Sequence, residues 1–139
     1  MQTAARIAAG SSEILQLGNL AVHRDWGWAP EYVQAMWLML QANEPRDYVI
    51  ATGKTVSLEY FVEKVFDHFG LNWRTHVKTD AALLRPSDIA YGAADPALAA
   101  TELGWRAQHD VHHVIREMCE HAARQLVNGA NAGLGITKS

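Results

Sequence analysis

Cysteine is nearly absent from this chain: Cys119 stands alone, which excludes an intrachain disulfide framework and a cysteine-only zinc site. An excess of basic charge is also missing. Twelve Lys and Arg stand against 15 Asp and Glu, for a formal net charge of −3, so nothing points to the basic patch that nucleic-acid binding needs. No apolar run reaches the roughly 18–20 residues that span a bilayer. The N-terminus lacks the roughly 7–15-residue apolar core of a secretory signal. A soluble, cytoplasmic protein is expected, with neither a membrane nor a nucleic acid as partner. Charged residues make up 19% and hydrophobic residues 49%, a balance that excludes a disordered chain. There is no internal repeat, no Walker A loop and no Gly-x-Gly-x-x-Gly turn, so the chain offers no dinucleotide cradle. Its 139 residues suit one domain able to bury a core without disulfides.

The patterning that is present alternates short strands with helices. Residues 3–9 hold good helix formers in a run of one or two turns. Glu13–Leu17 reads as a strand ended by Gly18-Asn19. Pro30 suits a first helical turn, and Tyr32, Val33, Met36, Trp37, Met39 and Leu40 recur at helical spacing, so residues 30–42 are predicted as an amphipathic helix. Glu31 near its start complements the helix dipole. Tyr48–Ala51 reads as a buried strand. Ser57 is a predicted N-cap for a helix over 58–69, with Gly70 closing it. His76–Thr79 reads as a short strand. Asp95-Pro96 opens another helix that Gly104 ends, and a last helix starts near Asp110. The expected fold is α/β, mixed and helix-rich, with about four helices and a few short strands. It covers residues 1–128, with 129–139 as a flexible tail.

Four constellations invite a chemical reading. Tyr60 and Lys64 form Tyr-x-x-x-Lys on one helix face, but without a cofactor loop they read as an ordinary exposed face. His109 and His113, at i and i+4, have a spacing that two metal ligands can use. Without a third ligand they read, with His112 and His121, as solvated helix histidines, and no metal is assigned. Cys119 lies on the apolar stripe of the last helix and reads as core. Arg24 and Arg85 lie in loop contexts, where a guanidinium fork can grip phosphate oxygens. The plain alternative is that each pairs with a nearby carboxylate, Arg24 with Asp25 and Arg85 with Asp88.

Several motifs in series resemble one family. Leu17-Gly18-Asn19-Leu20, Arg24-Asp25-Trp26-Gly27, Tyr32 through Leu40, Asp47 through Gly53, Arg85-Pro86-Ser87-Asp88, Asp95-Pro96 and Leu103-Gly104-Trp105 follow the order and spacing of the C-terminal part of the GDP-mannose 4,6-dehydratases. These lyases belong to the extended short-chain dehydrogenase/reductases, in the NAD-dependent epimerase/dehydratase group. The likeness runs over about residues 3–120.

The resemblance implies a division of labour. In the family an N-terminal Rossmann domain binds NADP and carries the catalytic Thr, Glu, Tyr and Lys, while the C-terminal part binds the GDP-sugar. This chain resembles only the latter, so it is expected to hold no cofactor and no catalytic residue of its own. The resemblance casts Arg24 and Arg85 as contacts to the nucleotide diphosphate, Asp88 as a neighbour of the ribose and Gly18-Asn19 as part of the nucleotide-side wall. Two departures stand out: Glu31 occupies a position where the family commonly has Asp, and Asp88 one where it usually has Glu. The implied ligand is a GDP-sugar or GDP. The implied macromolecular partner is a second copy or a separate Rossmann domain, as in a split enzyme. A stand-alone interaction domain without retained ligand binding is the alternative.

Overall fold

The computed structural model describes residues 1–85 and 87–134, with side chains through Gly129. Its elements run α1 (Gln2–Ala8), β1 (Leu15–Leu17), β2 (His23–Asp25), α2 (Ala29–Gln41), β3 (Thr55–Ser57), α3 (Leu58–His68), α4 (Trp73–His76), β4 (Val77–Thr79), a 3₁₀ turn (Ala81–Leu83), α5 (Ala97–Glu102) and α6 (Val111–Leu134). This is the mixed, helix-rich α/β architecture expected, with two helices beyond the expected four because the segments near the start and at 73–76 are helical.

Local chemistry sets the helix boundaries. The Tyr60 N–H donates to Ser57 Oγ at 3.1 Å, so Ser57 caps α3. At the other end Gly70 takes φ +69°, a conformation that side chains disfavour. There the N–H groups of Gly70 and Leu71 close onto Asp67 and Phe66 carbonyls. Asp110 Oδ1 accepts the N–H of both His112 and His113, at 3.0 and 3.1 Å, and so starts α6. The last helix continues past the expected tail boundary to Leu134, since each of its two glycines, Gly129 and Gly133, costs only about 1 kcal/mol among the alanines and leucines around them. Residues 135–139 lie outside the described residues.

Two small sheets sit beside the helices. β1 pairs parallel with β4, Leu15 opposite Val77 and Leu17 opposite Thr79. β2 pairs antiparallel with β3, His23 opposite Ser57 and Asp25 opposite Thr55. No strand forms at Tyr48–Ala51. Tyr48 and Ile50 do pack inward, against the Ala35–Ala99–Trp105 cluster, but the backbone there has no strand beside it to complete a ladder. A short apolar run identifies an extended, partly buried segment; a strand also requires a neighbour.

The main core lies between α1, α3 and α6, where Ile7, Phe61, Val65, Phe66, Ile115 and Cys119 are buried together. Leu15, Leu17 and Trp26 pack on its edge, and Trp26 stacks on Phe61 with centroids 4.4 Å apart. This arrangement places the end of β1 and all of β2 at the rim of the core, with their following loops at the surface.

Candidate functional site

The site is built on the exits of β1 and β2. Gly18 follows β1 directly, and a Cβ there would meet the Leu83 carbonyl oxygen at 2.7 Å. Only glycine lets the two backbones approach so closely. Asn19 Oδ1 then accepts the Ala21 N–H at 2.9 Å, turning the chain toward β2. Gly18, Asn19, Leu20, Thr79, Asp80, Ala81 and Leu84 line an open cavity of about 290 Å³.

Two described segments of chain lie on either side of Pro86 between that cavity and β2. Leu84 lines the cavity and exposed Arg85 follows it. Pro86, the second residue of the Arg85–Asp88 motif, lies outside the described residues. The Asp88 N–H donates back to the Arg85 carbonyl at 3.1 Å, forming a turn. Asp88 Oδ1 then accepts from Arg24 Nη2 at 3.2 Å. Arg24 Nη1 also donates to the carbonyls of His23 and Ile89, each at 2.7 Å. Of the five candidate residues, Arg24 and Asp88 touch, Gly18 and Asn19 share a cavity wall, and Arg85 follows Leu84 of that wall in the chain.

The ion pairs differ from the simple alternatives. Arg24 does not pair with Asp25. The Asp25 carboxylate accepts the N–H groups of Thr52 and Gly53, at 3.0 and 2.7 Å, and the Thr52 hydroxyl at 2.8 Å. Neighbours on a strand face opposite ways. One side of β2 therefore sends Arg24 toward Asp88, while the other sends Asp25 into the 52–53 turn. This clasp fixes β2 against the loop that leads to β3.

Sequence reasoning missed a second polar cluster. Glu31, only 8% exposed, accepts the Gln108 N–H and the His109 Nδ1–H, each at 2.8 Å. The His109 ring lies 3.8 Å from that of His113, whose Nδ1 accepts from Arg116 at 2.9 Å. These two histidines are thus tied to Glu31 and Arg116 rather than merely solvated. They line a cavity of about 320 Å³ with Thr52, Lys54, Ala107, Gln108 and Asp110. Among the described residues no group of three or more His, Cys, Asp or Glu can hold a metal ion. The missed signal was Glu31 itself, whose place in a first helical turn was accounted for by the dipole alone. Tyr60 and Lys64 do share a face, with Nζ 5.6 Å from the ring centroid. Lys64 pairs with Glu63 and Asp67, and the Tyr60 hydroxyl bonds His112 Nε2 at 2.9 Å.

A dinucleotide does not fit these elements. The turn after β1 leads through Asn19 to another strand, the β2–α2 junction holds the single Gly27 between two tryptophans, and the β3–α3 junction carries Ser57 rather than glycines. Among the described residues, therefore, no glycine-rich turn between a strand and a helix can cradle a pyrophosphate. No described helix is long and apolar enough to cross a membrane.

Comparison with known proteins gives a consistent result. The profile of the family described as GDP-mannose 4,6 dehydratase matches residues 1–118. GDP-mannose 4,6 dehydratase 2 of Arabidopsis thaliana is 40% identical over 115 residues, which is 83% of this chain and 31% of that protein. The Homo sapiens GDP-mannose 4,6 dehydratase is 38% identical, over 91% of this chain and 38% of its own length. Among solved structures, the Pseudomonas aeruginosa protein RMD, complexed with NADPH, superposes with a TM-score of 0.78 at 17% identity, over 89% of this chain and 40% of that one. UDP-glucose 4-epimerase from Thermotoga maritima, solved with UDP-glucose, gives 0.74 at 18% identity, over 89% of this chain and 38% of that one. The two structures share the fold. Each of these proteins is much longer than the segment matched, so the chain spans about a third to two fifths of its relatives. With motifs, fold and a profile match over most of the chain in agreement, it belongs to the GDP-mannose 4,6-dehydratase family of extended short-chain dehydrogenase/reductases.

Proposed function

We propose that this chain supplies the nucleotide-sugar-binding face of a GDP-mannose 4,6-dehydratase-type lyase and carries no catalytic residue itself. Arg24 and Arg85 hold the diphosphate, Asp88 lies beside the ribose, and Gly18-Asn19 form the nucleotide-side wall. The observation that carries this reading is the chain order from the Gly18–Leu84 cavity through Arg85 to the Arg24–Asp88 pair. It combines a recess with two arginines further along the chain, the groups that a base and a diphosphate call for. Two guanidinium forks supply orientation as well as charge. Redox chemistry on the sugar belongs to the family's NADP-binding part, and no step of it runs through residues of this chain.

Calorimetry with GDP and GDP-mannose tests the proposal. Binding in the micromolar to millimolar range is expected, weakened about tenfold by Arg85→Ala and by a smaller factor in Arg85→Lys, which keeps the charge but loses the fork. Absence of heat, together with unmoved amide resonances of residues 18–20 and 84–92 at millimolar GDP, would overturn it.

A further inference from the structure

The cavity lined by His109 and His113 contains none of the five candidate nucleotide-binding residues. Its two histidines are held by partners of opposite kind. His109 Nδ1 lies 2.8 Å from a Glu31 carboxylate oxygen, a group that only accepts. His113 Nδ1 lies 2.9 Å from Arg116 Nη2, a group that only donates. A neutral imidazole carries a single ring proton, so these partners fix opposite tautomers. His109 keeps its proton on Nδ1 and leaves a lone pair on Nε2. His113 accepts on Nδ1 and keeps its proton on Nε2. Among the described residues neither Nε2 has a protein partner. The ring centroids are 3.8 Å apart, so an acceptor ring and a donor ring stand side by side on the cavity.

That arrangement narrows the ligand. A metal ion needs a lone pair from each imidazole, and His113 Nε2 carries a proton instead. An anion would meet Lys54 but also the Asp110 carboxylate, which lines the same cavity. The two partners behind the tautomers, Glu31 and Arg116, are likewise of opposite charge. Formal charge around the cavity therefore cancels, which favours a neutral ligand. A hydroxyl group fits the ring pair, because one oxygen can donate to the His109 lone pair and accept from the His113 N–H. A hydroxyl on the adjacent carbon finds the Lys54 ammonium and the Asp110 carboxylate among the lining groups. At about 320 Å³ the cavity stands at the lower end of small-molecule sites, roughly 300–1,000 Å³. It suits one hydroxylated ring.

We propose that this cavity binds a neutral polyol, the hydroxylated ring of a cyclitol or a monosaccharide, with one hydroxyl bridging His109 Nε2 and the His113 Nε2–H. Arg116 is a positioning residue, which acts by holding the His113 tautomer. The proposal is independent of the nucleotide-sugar reading.

Imidazole nitrogen NMR above neutral pH tests the tautomers. His109 should carry its proton on Nδ1 and His113 on Nε2; the same tautomer on both rings would overturn the proposal. Titration with myo-inositol tests the ligand class. Saturable shifts of both rings and of the 52–54 and 107–110 amides are expected, with a midpoint in the millimolar range, while residues 18–20 and 84–92 stay still. Arg116→Ala should let the His113 proton move to Nδ1 and raise the midpoint about fivefold, as the loss of one hydrogen bond does. Arg116→Lys keeps a donor and should restore both the tautomer and the affinity. The Arg116 side chain is exposed, so both variants should keep the thermal midpoint of the wild type; should Arg116→Ala fail to fold, the tautomers and titration of the wild-type chain decide. Absence of saturable shifts in the millimolar range, or equal affinity in Arg116→Ala with its tautomer changed, overturns the proposal. So does displacement of inositol by micromolar inorganic phosphate or Zn²⁺, which would assign the cavity to an anion or a metal. GDP calorimetry on the same samples should be unchanged by inositol, and reports the nucleotide site separately.

Discussion

Arg24 shows how one side chain joins two parts of this site. Its Nη1 donates to two carbonyls, which holds the guanidinium in place, while Nη2 meets Asp88. The sequence neighbour Asp25 does different work, on the other side of the strand. Glu31 is the other residue with more partners than its neighbourhood suggests. Its carboxylate links α2 to the segment before α6 by accepting two backbone N–H groups and the His109 ring. Glu31→Gln replaces one acceptor oxygen with an NH₂ that opposes a donor, so it should destabilise the fold by about 1–3 kcal/mol. Urea unfolding checks this, with the midpoint falling and the slope unchanged. Cys119 shows the opposite simplicity: it is fully buried, and burial pushes its thiol pKa up.

Among the elements, α6 depends on its first residues. The N–H groups of His113 and His112 hold the Asp110 carboxyl below its ordinary value of 3.8. A depressed carboxyl contributes stability that is present above that ordinary value and lost as pH falls through the lower folded value. Asp110→Asn keeps an acceptor at the cap without the titration. The stability difference between wild type and this variant should therefore shrink between about pH 5 and pH 2. Asp110→Ala should cost about 1 kcal/mol near neutral pH. Urea titrations across the pH series check both.

Four of the helices were readable because their signals are local: Pro30, Ser57, Gly70, Asp110 and a 3.6-residue apolar period each act within a turn or two of chain. The β2–β3 ribbon was not. Its strands are three residues each, His-Arg-Asp and Thr-Val-Ser, and they meet across some thirty residues, so no apolar alternation announces them. The site divides in the same way. Gly18, Asn19, Arg24, Arg85 and Asp88 could be picked out as motif residues. The pairing of Arg24 with Asp88, at a separation of 64, could not, because it depends on the 89–92 segment lying along β2. There His23 N–H donates to the Ala90 carbonyl, and Gly92 N–H donates to that of His23.

At the scale of the molecule, the fold has two unequal clusters. The larger joins α1, α3 and α6; the smaller seats α2 and α5 around Trp105. The Gly18–Leu84 cavity lies at the rim of the first, and the uncharged stripe of α2 faces away from the second. A large part of α2's apolar content was legible in its heptad-like spacing. Which of its two sides would be covered was not, since both carry apolar residues and only contacts with α5 and Trp105 distinguish them.

The packing of α1 and α3 on α6 has a consequence for the order of events at the ribosome. Ile7, Phe61, Val65 and Phe66 find Ile115 and Cys119 only on the last helix. The earlier segments must therefore wait, with their apolar faces uncovered, until the residues after Asp110 have emerged. Nucleation at the N-terminal end, the usual vectorial route, is closed to this core. A chain released at residue 110 should lack cooperative unfolding by circular dichroism and bind a hydrophobic dye, whereas one that extends through residue 128 should fold as soon as α6 can close over α1 and α3.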